Sequence, residues 1–355
     1  MGKDDEKYVT YERGFGHPLG PINTFKHAFG LAGKSGYGSK TVAHDVVRGW
    51  DGAGKVALVT GPFTGVGLET CRALASSGCE IIMAGRDATN RGVQVVSLAI
   101  MSVCPDARVT CMELDLSSLA SVKRFAEEFL ALNKPLHILV NNAGIMATPF
   151  TLSSDGFELQ FATNHLGHFL LTQLLLERIK QTAATKGAPQ GRIINLSSGG
   201  HFLTYPEASL LDEDMLKSNA KYDKWGAYGQ TKLCNVLYAR ELNDRLEKEG
   251  ANVVAVAVMP GVICTPLFKH VQAMGSSSQE LFFLSISFIA KSVPQGAATT
   301  VYCATAQDIV GGQYYANANL SNSSAASKKR RLGRRLYELS TKYCSEYWCK
   351  QSDGI

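Results

Sequence analysis

The chain has 355 residues, of which 45% are hydrophobic and 19% charged. This is enough for one large domain or two, with a core that needs no disulfide or metal staple, and it excludes whole-chain disorder, collagen and coiled coil. The net charge of +5 is local: Lys328, Lys329, Arg330, Arg331, Arg334 and Arg335 lie within eight residues, and without them the remainder sums to −1.

Residues 1–52 read as an arm. Lys3 to Lys7 is charged and no apolar stretch follows, which fits neither a secretory signal nor an Arg-rich transit peptide. Met1-Gly2 invites acylation, but Glu6 stands where Ser or Thr is wanted. Glycines and prolines then recur with little periodicity. From Gly54 the pattern changes. Lys55 to Thr60 is a short apolar run, the kind that suits a strand buried on both faces. Similar runs follow at Glu80 to Ala84, Arg108 to Met112, His137 to Val140, Arg192 to Leu196 and Asn252 to Val258. Between them, helices are expected from Ser117 to Leu132 with a serine cap, from Asp155 to Lys180, and from Gly226 to Glu249 with Gly250 ending it. This alternation predicts a single doubly wound α/β domain of the Rossmann type over 53–320, with a mainly parallel sheet and helices on both faces. A basic C-terminal extension occupies 321–355.

The first strand leads into Thr60-Gly61-Pro62-Phe63-Thr64-Gly65-Val66-Gly67 and then a helical stretch. Glycines let backbone approach a diphosphate closely, and the helix start offers free N–H groups. The second strand ends Gly85-Arg86-Asp87. An acid at the strand end would hold an adenosine ribose, whereas Arg86 can pair with a 2′-phosphate, which favours NADP(H) over NAD(H). Asp87, one residue on, leaves the acidic alternative in play, and a solvated loop charge is the plain reading of Arg86.

Tyr228 and Lys232 stand at i and i+4, on one helix face. The ammonium is expected to favour the phenolate, making Tyr228 a general acid/base near neutral pH. His165 and His168 read as helix packing or hydrogen-bonding residues rather than catalysts. Nine cysteines, an odd number without a C-x-x-C pair, argue against zinc and a disulfide framework and suit a reducing compartment. No apolar run reaches the length that spans a bilayer; the longest, Leu281 to Ala290, is broken by Ser285 and Ser287. Nucleic acid is not expected as a partner, because the positive charge is not spread over a face. The expected location is cytoplasmic or peripheral on an organelle membrane.

Taken in order, the glycine loop, Asn141-Asn142-Ala143-Gly144, Asn164, Ser197-Ser198, Tyr228-x-x-x-Lys232 and Pro260-Gly261 resemble the short-chain dehydrogenase/reductase family over about 54–320. Leu139 to Phe150, Phe161 to Thr172, Ala227 to Leu237 and Gln295 to Thr300 are similar to its retinol dehydrogenase and WW-domain oxidoreductase branch. They are most similar to the subgroup associated with the protein translocon of the chloroplast inner envelope.

The resemblance implies roles. Tyr228 would be the acid/base, Ser198 would hold the substrate oxygen, and Lys232 would also bind the nicotinamide ribose. Asn164 would complete a water relay to Lys232. Gly61, Thr64, Gly65, Val66 and Gly67 would meet the diphosphate. Asp115 and Leu116 would serve the adenine, with Asn141, Asn142, Ala143 and Gly144 lining the adenosine side. Pro260 and Gly261 would line the cofactor, and Thr265 after them would touch the nicotinamide carboxamide or a phosphate.

The implied activity is NADP(H)-dependent hydride transfer between the nicotinamide and an alcohol or carbonyl substrate. The apolar Leu281–Ile289 stretch suits a lipophilic pocket wall, and so a lipophilic substrate, or a membrane-facing surface, or ordinary helix packing on the core. The alternative is an NADP(H)-binding regulatory or scaffold component of a membrane complex, with weak turnover. In 328–348, Leu336, Leu339 and Tyr343 make an apolar stripe behind the cations. That pattern suits calmodulin or an anionic membrane surface, or simply a terminal helix docked on the domain.

Overall fold

The computed structural model describes residues 30–263 and 290–348, apart from 87, 89 and 105. Eight strands form one sheet: β1 (Val56–Thr60), β2 (Glu80–Gly85), β3 (Val109–Glu113), β4 (Ile138–Asn141), β5 (Gly191–Leu196), β6 (Val253–Met259), β7 (Tyr314–Ala316) and β8 (Asn319–Leu320). The order is β3-β2-β1-β4-β5-β6-β7-β8, parallel throughout except for β8, which runs antiparallel to β7. All residues of β1, β2, β4 and β5 are buried, which explains their unbroken apolar runs: both faces are covered. The strand order reverses between β1 and β4, and the crevice beyond the strand ends there is where an open α/β sheet binds ligands.

The helices are α1 (Ala43–Val46), α2 (Gly65–Ala75), α3 (Arg91–Val103), α4 (Leu119–Ala131), α5 (Gly167–Ala184), α6 (Glu213–Lys217), α7 (Lys224–Lys248), α8 (Val293–Thr305) and α9 (Arg330–Tyr343). One face of the sheet carries a core of Phe125, Phe129, Leu170, Ile193 and Leu237 beneath α4, α5 and α7. The other carries Leu74, Ile81, Val140, Ala298 and Val301 beneath α2 and α8.

Local details differ from the sequence expectation. The serine that caps α4 is Ser118, whose Oγ accepts from the Ser121 N–H, while Ser117 closes a turn on Asp115. The stretch expected as one helix from Asp155 to Lys180 is broken. After a single turn at Leu159–Phe161, Ala162–Leu166 widens into a π-helical turn, and only then does α5 begin.

The arm and the C-terminal segment both pack on this body. Asn319 of β8 takes the Ser35 N–H on its Oδ1 and donates from Nδ2 to the Tyr37 carbonyl, tying the arm to the sheet edge. Helix α9 lies against α7 with Leu332, Gly333, Leu336, Tyr337 and Ser340 buried. The Tyr337 hydroxyl donates to Gln173 Oε1 at 3.1 Å. The expected stripe of Leu336, Leu339 and Tyr343 is the docked face, with Leu336 buried and Leu339 and Tyr343 half-buried against the core, and Tyr337 and Ser340 widen it.

Candidate active site

The loop after β1 is shaped from the strand end outward. Gly61 has φ of +60°, and a Cβ there would lie 2.9 Å from the Ala143 Cα, so only glycine fits. Gly67 brings α2 close over the Gly61 carbonyl and the Asn142 amide. The Asn142 Nδ2 clamps the loop, donating to Thr60 O at 2.7 Å and Gly61 O at 3.1 Å. Thr64, the residue before α2, makes no side-chain cap, so the helix start keeps its N–H groups for another acceptor.

Beneath the loop, the Thr60 hydroxyl accepts the N–H groups of Asn142 and Ala143 at 2.9 and 3.0 Å and stands 2.8 Å from His168 Nε2. His168 Nδ1 lies 3.1 Å from the Asn164 carbonyl, so Nδ1 carries the proton and Nε2 accepts from Thr60. Burial holds this imidazole neutral, with its pKa pushed down to about 3. The sequence reading of His168 as a packing or hydrogen-bonding residue left its partners open. Its position one turn after Asn164 was the available sign that it ties the π-helical turn to the glycine loop.

Asn164 sits in that π-helical turn, a feature common at functional sites. Its Oδ1 accepts the Ile145 N–H at 2.8 Å, and its Nδ2 donates to Ile145 O and to the Thr231 hydroxyl. The side chain is therefore committed to holding the segment after β4 against α7. Gly144 faces both helices: a Cβ there would stand 3.2 Å from Asn164 Oδ1 and 3.4 Å from Lys232 Nζ.

Tyr228 and Lys232 lie on α7, which Asp223 caps by accepting the Gly226 N–H. The Lys232 ammonium is 5.6 Å from the Tyr228 ring centroid and donates to Leu196 O at 3.2 Å. Ser198, just after β5, accepts the Gly200 N–H on its Oγ at 3.1 Å and stands near enough to Tyr228 to draw the phenol's pKa down. Ser197 Oγ donates to the Lys232 carbonyl, a supporting contact. The electrostatics differ from the expectation that the ammonium lowers the phenol. Burial dominates and pushes Tyr228 up to about 12, with Ser198 pulling the other way, while burial brings Lys232 down to about 8. Both groups are enclosed, and desolvation outweighs a cation at this separation.

The remaining expected residues are spread along the same edge of the sheet. Arg86 is exposed at the end of β2. Asp115 Oδ1 accepts from the Ser117 N–H and hydroxyl. The Leu116 side chain is buried in the core, so only its backbone can serve a ligand. Pro260 and Gly261 follow β6, and Gly261 has φ of +104°. Asp87, Thr265 and the Leu281–Ile289 stretch lie outside the described residues. Three further polar side chains surround this edge; His201 stands near enough to Ser198 in the sequence to suggest a pocket residue, whereas Tyr314 and Lys291 carry no such sign. His201 Nδ1 lies 2.6 Å from Ser198 O while its Nε2 accepts the Ser324 N–H. Tyr314 keeps a buried hydroxyl with no hydrogen-bond partner among the described residues. Lys291 is 6% exposed beside Gly261.

Residues 55–210 match the family described as short chain dehydrogenase. The chain is 44% identical over 317 residues to the short-chain dehydrogenase TIC 32 A, chloroplastic, of Brassica napus, covering 88% of this chain and 96% of that protein. It is 38% identical over 297 residues to retinol dehydrogenase 12 of Mus musculus, covering 83% and 88%. Among solved structures, an uncharacterised protein from Mycobacterium paratuberculosis superposes with a TM-score of 0.64 at 30% identity, covering 84% of this chain and 97% of that one. The fold, the crevice and these likenesses agree, and the chain belongs to the short-chain dehydrogenase family of oxidoreductases.

Proposed function

We propose that the protein is an NADP(H)-dependent oxidoreductase that interconverts an alcohol and a carbonyl group on a lipophilic small molecule, with Tyr228 as acid/base. The observation that carries this reading is the enclosed cluster of Tyr228, Ser198 and Lys232 beside Gly144, at the same sheet edge as the uncapped start of α2. The residues fit a dinucleotide. Gly61, Thr64, Gly65, Val66 and Gly67 would meet its diphosphate, and Arg86 a 2′-phosphate. Asp115 with the Leu116 backbone, and Asn142, Ala143 and Gly144, would line the adenosine side. Tyr228, Lys232, Pro260, Gly261 and Thr265 would surround the nicotinamide end. When bound, the cofactor gives or takes the hydride.

The chain's own part is proton control. At neutral pH the buried phenol of Tyr228 holds its proton, the form that protonates a carbonyl oxygen during reduction. Ser198 holds that oxygen and donates toward it as charge develops, where such a bond is worth most. Lys232 is charged at neutral pH and offsets negative charge on the phenol once its proton has left. His168, neutral, keeps Asn164 and the glycine loop in register without entering the chemistry.

Two exposed apolar side chains on the segments that carry Ser198 and Tyr228 support a lipophilic substrate. Leu203, on the turn leading from Ser198, is 73% exposed, and Trp225, one turn before Tyr228, is 39% exposed. Retinol dehydrogenase 12, a relative named for an apolar alcohol, favours the same substrate class. The partner reading now rests on the charges of α9 rather than its apolar stripe, since that stripe is covered. Arg331 and Arg334 are exposed, whereas Lys329 pairs with Glu207 and Arg330 with Asp244. An anionic membrane surface can use such charges with the helix in place, while calmodulin would need the helix lifted off. Among the described residues no helix is long and apolar enough to cross a membrane.

The test is oxidation of NADPH against a panel of aldehydes, ketones and quinones, with Tyr228→Phe beside the parent. The expected outcome is turnover by the parent and a loss of at least a hundredfold in the variant, about the contribution of general acid catalysis. Equal turnover by both would defeat the assignment. Cofactor binding without turnover on any substrate would favour a regulatory binding protein.

A further inference from the structure

Four cationic side chains are buried among the described residues, and three have an acceptor. Arg192 donates to Ala306 O, Arg240 to Ser327 O and Ser323 Oγ, and Lys232 to Leu196 O. Lys291 is the fourth, and no acceptor among the described residues reaches its ammonium. Its backbone is firmly placed. The N–H donates to Val262 O at 2.8 Å, and Lys291 forms a parallel bridge with Ile263 just beyond β6. Its stem runs across Gly261, where a Cβ would lie 2.8 Å from the lysine Cδ and 3.1 Å from Cε. Gly261 is thus held open by its φ of +104° and by this stem.

A buried lysine whose ammonium has no acceptor among the described residues is costly and is kept where an anion offsets it. Three neighbouring features narrow which anion. Ser292, the next residue, already caps α8 through a reciprocal box with Gln295, so the α8 start has no demand of its own. One turn into α8, Gly296 lies against Ile263 and close to Val66 of the first turn of α2. The uncapped start of α2 and the Lys291 stem therefore flank one stretch of the sheet's C-terminal edge.

We propose that the Lys291 ammonium is an anchor for the diphosphate of the bound dinucleotide, gripping it from the β6 side while the start of α2 holds it from the β1 side, with Gly261 kept as glycine so that the lysine stem can pass. This rests on the dinucleotide reading above and adds a contact that is independent of the 2′-phosphate. Burial already pushes the lysine down to about 8, as expected of a cation awaiting its counter-charge.

The experiment measures dissociation constants of NADPH and NADH by fluorescence titration of the full chain, comparing the parent with Lys291→Met, Lys291→Gln and Arg86→Ala. Inorganic pyrophosphate serves as a competitor. Losing the charged contact should weaken NADPH and NADH alike, by about tenfold to a hundredfold. Pyrophosphate should compete less well against the lysine variants. Arg86→Ala should weaken NADPH alone. The melting temperature of the ligand-free Lys291→Met protein should equal or exceed that of the parent, since that buried charge is gone; the glutamine variant is read beside it so that packing at one side chain does not decide. Unchanged affinities in both lysine variants overturn the proposal. A loss confined to NADPH also overturns it, because that would assign Lys291 to the 2′-phosphate. A parent that binds neither cofactor defeats the dinucleotide reading itself.

Discussion

The spacing of Tyr228 and Lys232 is a weak sign alone and gains force only with Ser198, Asn164 and the glycine loop in their order along the chain, because each is tied to a fixed place on a strand end or a helix. Their electrostatics could not be found that way. An i, i+4 pair on a solvated helix would lower the tyrosine, but enclosure reverses the sign, raising Tyr228 to about 12 and lowering Lys232 to about 8. Lys291 escaped notice for a related reason: a lysine following an apolar run looks like a surface residue until Gly261 is seen beneath it. Two variants separate the roles. Lys232→Ala is expected to weaken NADPH binding and slow turnover, because the lysine is given both the ribose and the developing charge on Tyr228. Ser198→Ala is expected to slow turnover by roughly a hundredfold with NADPH affinity within about twofold, since the serine meets only the reacting oxygen. Ser198→Ala should also move the pH profile. The serine lowers the Tyr228 pKa, so its loss shifts the limb governed by that phenol to higher pH. Normal NADPH binding by Lys232→Ala would remove the ribose contact from the scheme.

The π-helical turn at Ala162–Leu166 shows what helical periodicity misses. Apolar spacing from Leu159 to Leu170 suits one helix, but a single widened turn sets Asn164 and His165 where two sets of partners can use them. His165 Nε2 accepts from the Ser340 hydroxyl of α9 at 3.0 Å, and its Nδ1 faces Asn235 Oδ1. Asn235 in turn donates to Leu196 O, the acceptor of Lys232. His165 and His168 are both buried neutral, lowered from 6.5 to about 4 and about 3. In the unfolded chain each takes up a proton below about 6.5, while in the folded chain each resists. Stability is therefore full above pH 6.5 and falls as the pH drops toward 4. The shift of His165 alone corresponds to roughly 3 kcal/mol. Denaturant unfolding at pH 7 and pH 4.5 is the measurement, with His165→Gln beside the parent. The variant is expected to show the smaller loss on acidification. An equal loss in both would mean that His165 is protonated in the folded protein or is not enclosed.

At the scale of the whole molecule, the alternation of strands and helices reveals the sheet and its crevice, because each buried strand is locally apolar. The arm and the tail were separated from the domain in that reading because nothing local marks what they dock against. The contacts of Asn319 with Ser35 and Tyr37 span more than 280 positions, and those of Ser340 and Tyr337 with α5 and the turn before it span more than 160. Helix α9 is consequently part of the core, and this sets the outcome of removing it. Leu332, Leu336 and Tyr337 are each buried, and burying side chains of this size contributes about 1.5–3 kcal/mol apiece. Three of them amount to several kcal/mol, a large part of the roughly 5–15 kcal/mol that holds a domain together. Truncation after Ser327 also uncovers Phe169 and Tyr238, which pack edge-on or stacked against Tyr337. The expected result is a chain that melts at least 10 °C lower or fails to fold, by thermal denaturation, with NADPH affinity lost alongside. A partner that grips the apolar stripe would face the same cost, so binding of that kind should destabilise the domain. Reversing only the exposed charges, with Arg331→Glu and Arg334→Glu, is expected to leave melting within a few degrees and to abolish any attraction to anionic vesicles. A truncated chain that melts like the parent and binds NADPH equally well would show that α9 rests on the domain without supporting it.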